Sequence, residues 1–337
     1  MTSKRKRWTA QAAKLPSPMG GLALAIASLG WTWESVMPSL NGWGQLTGAV
    51  IASVLLILLA AKFILHPTVL KNELSHPVVG SVIPTFAMAL MVVSNLLGHY
   101  FPHAGLILWL TAIAIHVIFL GAFIYFRAID FKLEHMVPSW FVPPIGIIVA
   151  AVSFPSNGAP WLVNLILAFG MLAYLVMLPL MLYRLIFCQA VPDAAKPTIA
   201  ILAAPTSLSL AGYLTVCEQP SVALVAVLAS IAVLMTAVIY LAFFHLLKLP
   251  FSPGYAAFTF PMVIGATALF KTAHWLAQFS QMSDLTQWVR LLADFELGVA
   301  TLVVCYVAIR YLASEIPSFL ETQIIPSVRV YKRCCFR

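Results

Sequence analysis

Charged side chains are scarce in this sequence. Of its 337 residues, 9% are Asp, Glu, Lys or Arg and 62% are hydrophobic, whereas soluble domains carry about 25% charged residues. The mean hydropathy is +0.97. A soluble core of this length could not bury so much apolar surface, but a lipid bilayer accommodates it. The composition therefore predicts a single all-helical bundle that is integral to a membrane.

Motifs for metal, redox or hydrolytic chemistry are also missing. The five cysteines form no CxxC pair, and the chain has no HExxH, GxSxG or Walker loop. Its basic residues form no stripe between aromatics of the kind that binds nucleic acid. We therefore expect a protein that is not an enzyme, with no metal site, no cofactor and no nucleic-acid partner.

Ten apolar runs divide the chain. A membrane-spanning helix needs about 20 mostly apolar residues. The predicted helices, numbered α1 to α10 in chain order, occupy residues 19–37, 45–65, 78–98, 105–126, 139–155, 161–187, 198–217, 221–247, 255–277 and 286–312.

The basic residues predict how these helices cross the membrane. If all ten runs span the bilayer, every Lys and Arg except Lys271 and Arg290 falls on one face, at the chain ends and in the connections after even-numbered helices. Cytoplasmic segments are enriched in Lys and Arg. The pattern predicts a multi-pass protein of the plasma (inner) membrane with both termini in the cytoplasm, in contact with the lipid bilayer.

Prolines mark an internal repeat. One proline lies near the start of each odd-numbered helix: Pro16, Pro77, Pro138, Pro197 and Pro253. A second follows within four of these helices, at Pro84, Pro144, Pro205 and Pro261, while α1 carries Gly20 and Gly21 instead. Self-similarity at a fixed period indicates repeated units. The predicted units are five tandem helical hairpins over residues 15–313, between cytoplasmic basic segments at 1–14 and 314–337.

The second prolines indicate a central pore. Proline inside a helix removes a backbone hydrogen bond and kinks the chain, and freed carbonyls are tolerated at membrane depth where they are buried in protein or line a wet cavity. We therefore predict the odd helices inside, around a pore, and the even helices outside. Pro84, Pro144, Pro205 and Pro261 are the predicted kink and pore-lining positions; the alternative is that they serve packing alone.

Three segments resemble a known family. They are LPSPMGGLALAI from residue 15, APTSLSLAGYL from residue 204 and FTFPMVIGATALF from residue 258. Together they are similar to the family of the tellurite-resistance protein TehA, the plant slow anion channels and the malate transporters. The resemblance covers about residues 15–313. It implies a homotrimer in which each subunit has its own pore, closed by a phenylalanine of α9 that matches Phe260 and narrowed in α1 at Gly21.

The residues themselves are compatible with this role. Phe260 directly precedes Pro261, and a bulky ring at a kink would close a narrow path sterically and by dewetting; the alternative is a packed aromatic, one of 21 Phe. Lys271, near the outer end of α9, is a candidate for attracting anions at the mouth, although a lysine that snorkels to the interface would look the same.

We therefore predict a channel for small inorganic or organic anions, related to tellurite resistance and dicarboxylate transport. A proton-coupled carrier of dicarboxylates or oxyanions such as tellurite is the first alternative. It would need a titratable group in the path, and the acidic pair available, Asp294 and Glu296, lies on α10, with Asp294 positioned to pair with Arg290. A polytopic membrane protein without transport activity is the second alternative.

Overall fold

A computed structural model describes residues 9–155 and 159–324, without the side chains of 315–324. The described chain folds into helices joined by short connections and contains no strand, which confirms the all-helical prediction. The helices are α1 Met19–Val36, α2 Trp43–Leu65, α3 Val79–Tyr100, α4 Pro102–Ile129, α5 Pro138–Val152, α6 Pro160–Phe187, α7 Asp193–Val216, α8 Val222–Leu246, α9 Pro253–Leu276 and α10 Ser283–Ile324.

Within the described ranges, eight helices are long and apolar enough to cross a membrane. The exceptions are α5, which is shorter, and α1, whose last two turns carry Trp31, Trp33 and Glu34. At the other end of the chain, α10 continues to Ile324, beyond the predicted end at residue 312. Hydropathy marks where a chain leaves the apolar layer, whereas the backbone hydrogen bonds of a helix continue into water.

The odd-numbered helices are irregular where the sequence places proline. In α3 the helix is interrupted at Pro84, between the segments Val79–Val82 and Thr85–Tyr100. Both α7 and α9 begin as 3-10 helices, Asp193–Ala203 and Pro253–Phe258, before they continue as α-helix. The even helices are continuous along their length. In α3, α5, α7 and α9 the irregular backbone therefore coincides with prolines, which lack an amide hydrogen, whereas α1 is a regular α-helix.

Burial also separates the two sets of helices. In α3, α7 and α9, 67%, 72% and 78% of the residues in the most apolar stretch are buried. The corresponding shares are 39% in α2 and α4, 28% in α6 and α8, and 33% in α10. The side chains left exposed on the even helices are themselves apolar, for example Ile57, Leu175 and Phe244. A long exposed apolar surface of this kind fits contact with lipid.

Small residues let α1 and α2 cross closely. A methyl group on Gly30 would lie 2.4 Å from the carbonyl oxygen of Gly44 and 3.1 Å from the Cα of Gly48. In return, a methyl on Gly48 would lie 2.7 Å from the carbonyl oxygen of Ile26. Glycines on both faces allow the two backbones to touch, as small residues do at many membrane helix contacts.

Three buried basic side chains near the ends of even helices donate hydrogen bonds to backbone carbonyls of the connecting segments. Lys62 of α2 donates to the Leu15 carbonyl at 2.7 Å, and Arg184 of α6 donates to the Glu134 carbonyl at 2.9 Å. Arg127 of α4 donates to the Ser75 carbonyl. The sequence suggested that these residues were charges at the membrane face, but all three are buried. Each donates to the segment before the preceding odd helix: Lys62 to that before α1, Arg127 to that before α3 and Arg184 to that before α5.

Candidate functional site

A large cavity lies among the N-terminal halves of the odd helices. Its volume is about 400 Å³, and all five odd helices contribute to its wall. One lining residue from each is Gly21 of α1, Val82 of α3, Ile145 of α5, Pro205 of α7 and Phe260 of α9. Most of the wall is apolar, as expected where helix backbones with small and aliphatic side chains enclose a narrow space.

A second cavity of about 60 Å³ lies among the C-terminal halves of the same helices. A larger share of its lining residues carry hydroxyl or amino groups than in the first cavity. Hydroxyl groups of Ser28 and Thr32 from α1, Ser153 after α5 and Thr267 from α9 line it, together with Lys271. Thr32, Ser153 and Thr267 donate their hydroxyl hydrogens to the carbonyls of Ser28, Val149 and Val263. The Lys271 ammonium is therefore the group in this cavity that can attract an anion.

Two apolar side chains, Phe260 and Leu208, line both cavities. Phe260 is 8% exposed and Leu208 is 2% exposed. Phe260 directly precedes Pro261, and Leu208 follows Pro205 by one turn, so each lies in the first turns of the α-helical part of its helix. We call the pair the partition, because its side chains stand between the two spaces.

The residues selected from the sequence fall into three groups. Gly21, Pro205, Phe260 and Pro261 line the large cavity, and Lys271 lines the small one. Pro84 and Pro144 lie at irregular points of α3 and α5 and line neither cavity. Their neighbours take the lining positions instead: Val82, Thr85, Val142 and Ile145. A proline can thus set the path of a helix without presenting its own ring to the cavity.

Charge at the cavities is confined to their far ends. Among the described residues that line them, only Glu73 in the large cavity and Lys271 in the small one are ionisable as acid or base. Glu73 belongs to a short helix, Pro67–Ser75, that connects α2 to α3. Neither Glu73 nor its partner Lys62 stands out as a site residue in the sequence. One feature of the sequence could have indicated the pair: Glu73 is an acid in a connection on the basic face, eleven residues after Lys62, which lies at the end of an apolar run.

The ionisable residues of α10 lie outside both cavities. Arg290 Nε is 3.6 Å from Asp294 Oδ1, which confirms the predicted pair. Glu296 is buried, and its Oε2 has no hydrogen-bond partner among the described residues. This oxygen would lie 2.7 Å from a methyl group on Gly265, so the carboxyl group contacts the backbone of α9.

Another buried polar group joins an odd helix to an even one. His116 of α4 is fully buried, and its Nε2–H donates to the Pro143 carbonyl at 2.8 Å. His116 is therefore a packing residue that is hydrogen-bonded through Nε2. It also supplies a donor at the irregular start of α5, where proline rings leave the backbone short of amide hydrogens.

Within the described ranges, His, Cys, Asp and Glu form no group of three that could hold a metal ion.

Comparison with known proteins gives consistent matches over most of the chain. Residues 15–312 match the family described as voltage-dependent anion channel, SLAC1. Two uncharacterized transporters of Methanocaldococcus jannaschii, MJ0762 and MJ0576, are each 27% identical to this chain, over 273 and 275 residues. Each alignment covers 72% of this chain, and 79% or 78% of the relative.

Proposed function

The chain belongs to the voltage-dependent anion channel family, and on that premise we propose that it conducts small anions through the two cavities, past the partition of Phe260 and Leu208. The observation that carries the proposal is the position of Phe260, which lines both cavities. Because the ring lies between them, its displacement would join about 400 Å³ and about 60 Å³ of space into one path. An apolar ring in a narrow path excludes water and ions together.

The proposed architecture is ten transmembrane helices in five hairpins, with odd helices around the path and even helices towards lipid. Three features support it: the proline positions, the greater burial of α3, α7 and α9, and the buried basic residues. Lys62, Arg127 and Arg184 each bind the segment before the odd helix of their own hairpin. The same contact in three successive units is what a tandem repeat would produce.

We propose that the large cavity opens to the cytoplasm and the small one to the opposite side. The support is the positive-inside rule, since the odd helices begin on the face that collects the Lys and Arg residues. Both termini would then be cytoplasmic, with residues 15–313 as the channel domain in the plasma (inner) membrane. The homotrimer remains a proposal that rests on the family resemblance.

The residues that line the path indicate which anions it would conduct. The apolar centre holds no fixed charge, so anions that dehydrate easily should pass best, and the Lys271 ammonium in the small cavity would attract them at the outer mouth. Chloride, malate and tellurite are the solutes to test. The family is described as an anion channel and the two relatives are named transporters, which supports transport and not catalysis.

A coupled carrier stays the second candidate because Glu296 is buried against α9 without a hydrogen-bond partner for Oε2. A carboxyl group in that position could exchange a proton as the inner helix moves. However, Glu296 lines neither cavity, and a carrier that alternates between two openings usually has two-fold repeats. The channel therefore accounts for more of the structure.

Flux into liposomes tests the proposal. Phe260→Ala should raise the rate of chloride entry several-fold over the wild type, without a pH gradient. Phe258→Leu is the matched control, because Phe258 is fully buried two residues earlier and lines neither cavity. Equal rates for wild type and Phe260→Ala would contradict the gate, and flux that requires a pH gradient would favour the carrier.

A further inference from the structure

A lysine behind the wall of the large cavity donates hydrogen bonds to three oxygen atoms. Lys62 Nζ donates to the Leu15 carbonyl at 2.7 Å, to Ser17 Oγ at 3.0 Å and to Glu73 Oε1 at 2.6 Å. Its side chain is 1% exposed, whereas that of Glu73 is 23% exposed. Ser17 Oγ in turn donates to Glu73 Oε2 at 2.6 Å. One carboxylate is thus held at both oxygens, by an ammonium and by a hydroxyl.

This arrangement has the chemistry of a small-anion site. Charge-assisted donors that converge on the two oxygens of a carboxylate bind it more strongly than neutral donors do. The donors Lys62 and Ser17 come from α2 and from the segment before α1, whereas the bound carboxylate comes from the short helix Pro67–Ser75. Ser17 and Glu73 line the large cavity, and Lys62 lies behind them. The Glu73 carboxylate therefore screens the lysine charge from the cavity.

The backbone that carries Glu73 is fixed at the end of its helix. Arg127 donates to the Ser75 carbonyl. A methyl group on Gly80 would lie 2.4 Å from the Leu74 carbonyl oxygen, so the helix end packs directly on α3. With both contacts in place, rotation of the Glu73 side chain towards the open cavity is the available movement. That movement would leave Lys62 and Ser17 facing the cavity without the carboxylate.

We propose that Lys62 and Ser17 form an anion-binding site at the mouth of the path, and that Glu73 is its tethered resident ligand. A small carboxylate or inorganic anion in the large cavity exchanges with the Glu73 side chain and takes its place on the Lys62 ammonium. The bound resident lowers the affinity of the mouth for anions, because an entering anion has to displace it. The inference rests on the proposed function, in which the large cavity is part of the anion path.

Glu73→Gln tests the site, since it removes the negative charge while keeping the size of the side chain. In liposome flux measurements on the Phe260→Ala background, the half-saturating chloride concentration should fall by about fivefold, equivalent to about 1 kcal/mol, the scale of a partly exposed ion pair. Adding Lys62→Gln should abolish this gain. Asp130→Asn is the matched control: it removes an acid from the same face, where Asp130 is exposed and pairs with Lys132 at 3.7 Å.

A second readout does not depend on conduction. Chloride or malonate should raise the melting temperature of purified Glu73→Gln in detergent at lower concentrations than the wild type needs, because ligands that bind only the folded state stabilise it. Glu73→Asp, with a shorter reach, should shift both readouts less and in the same direction. It replaces Glu73→Gln if that variant does not accumulate.

The outcomes separate the two proposals. Absence of flux in every variant, including Phe260→Ala alone, would refute the proposed function, and the melting temperatures would still report on the site. An unchanged anion dependence in Glu73→Gln or Glu73→Asp overturns the resident-ligand proposal. So does a uniform loss of melting temperature at all anion concentrations, which would identify Lys62 and Glu73 as a structural clamp only.

Discussion

At the scale of single residues, the barrier between the two cavities consists of two side chains without polar atoms. Phe260 and Leu208 touch both spaces, and neither offers a hydrogen bond to water or to an ion. Closure by such residues is steric and depends on side-chain volume. Their size should therefore control the path more strongly than their chemistry.

Leu208→Ala should raise anion flux, although less than Phe260→Ala does, because a smaller volume is removed from the same partition. The measurement is chloride uptake into liposomes, normalised to the amount of folded protein. Leu210→Ala is the control: Leu210 is fully buried on the same helix and lines neither cavity. A rise in the control equal to that of Leu208→Ala would mean that general loosening of α7 opens the path.

Some of these residues could be predicted from the sequence and others could not. Phe260 and Gly21 could be selected because short segments resemble a family, and Pro205 and Pro261 because they recur with a period. Leu208 carried no signal, since nothing in the sequence distinguishes it from the other leucines of an apolar helix. Glu73 and Lys62 meet through folding of a connection, which residue spacing alone does not reveal.

At the scale of helices, close approach of backbones limits what the α1–α2 contact tolerates. Gly30→Ala should lower the free energy of unfolding by about 2 kcal/mol, because its methyl would meet backbone atoms that cannot move aside. Gly121→Ala on α4 should be neutral or stabilising, since nothing lies within 4 Å of a methyl there. Thermal unfolding in detergent measures both. Equal loss in the two variants would rule out a specific α1–α2 crossing.

The start of α3 should make stability depend on pH. His76 Nδ1 accepts from the amides of Val78 and Val79, both at 3.2 Å. Burial, then the charges of Arg127 and His135, hold the pKa of His76 below its ordinary value of 6.5. The unfolded chain therefore takes up a proton first, and stability is lost as the pH falls below about 6.5.

His76→Asn separates this effect from other titrations. The amide oxygen of Asn can accept the same backbone hydrogens but does not titrate. The decrease in melting temperature between about pH 7 and pH 5 should be smaller in the variant than in the wild type. Parallel curves for the two proteins would show that His76 does not contribute.

Helix positions could be predicted well from apolar runs, but their internal form could not. Each run in the sequence corresponds to a helix, because burial in lipid and protein requires apolar side chains throughout. The largest difference is at the end of α10, which continues to Ile324. The mixture of 3-10 and α-helix in α5, α7 and α9 depends on which carbonyls find other donors, such as His116. That depends on neighbours distant in sequence.

At the scale of the whole molecule, charge and apolar surface are separated along the proposed path. Glu73 and Lys271 mark its two ends, and the space between them is lined by apolar and hydroxyl-bearing residues. Composition predicted a membrane protein, and the basic residues predicted its orientation. The number of subunits could not be predicted from the residues themselves, because an apolar surface that faces lipid looks the same as one that faces another subunit.

The central claim is that the side chain at position 260 plugs a path that joins the two cavities. Single-channel conductance for chloride, recorded in planar bilayers for Trp, Phe, Leu and Ala at this position, tests it most directly. Conductance should rise in that order, as the side chain becomes smaller, while substitutions of Phe258 should leave it unchanged. Conductance that is independent of the residue at position 260, in variants that fold and insert normally, would contradict the account.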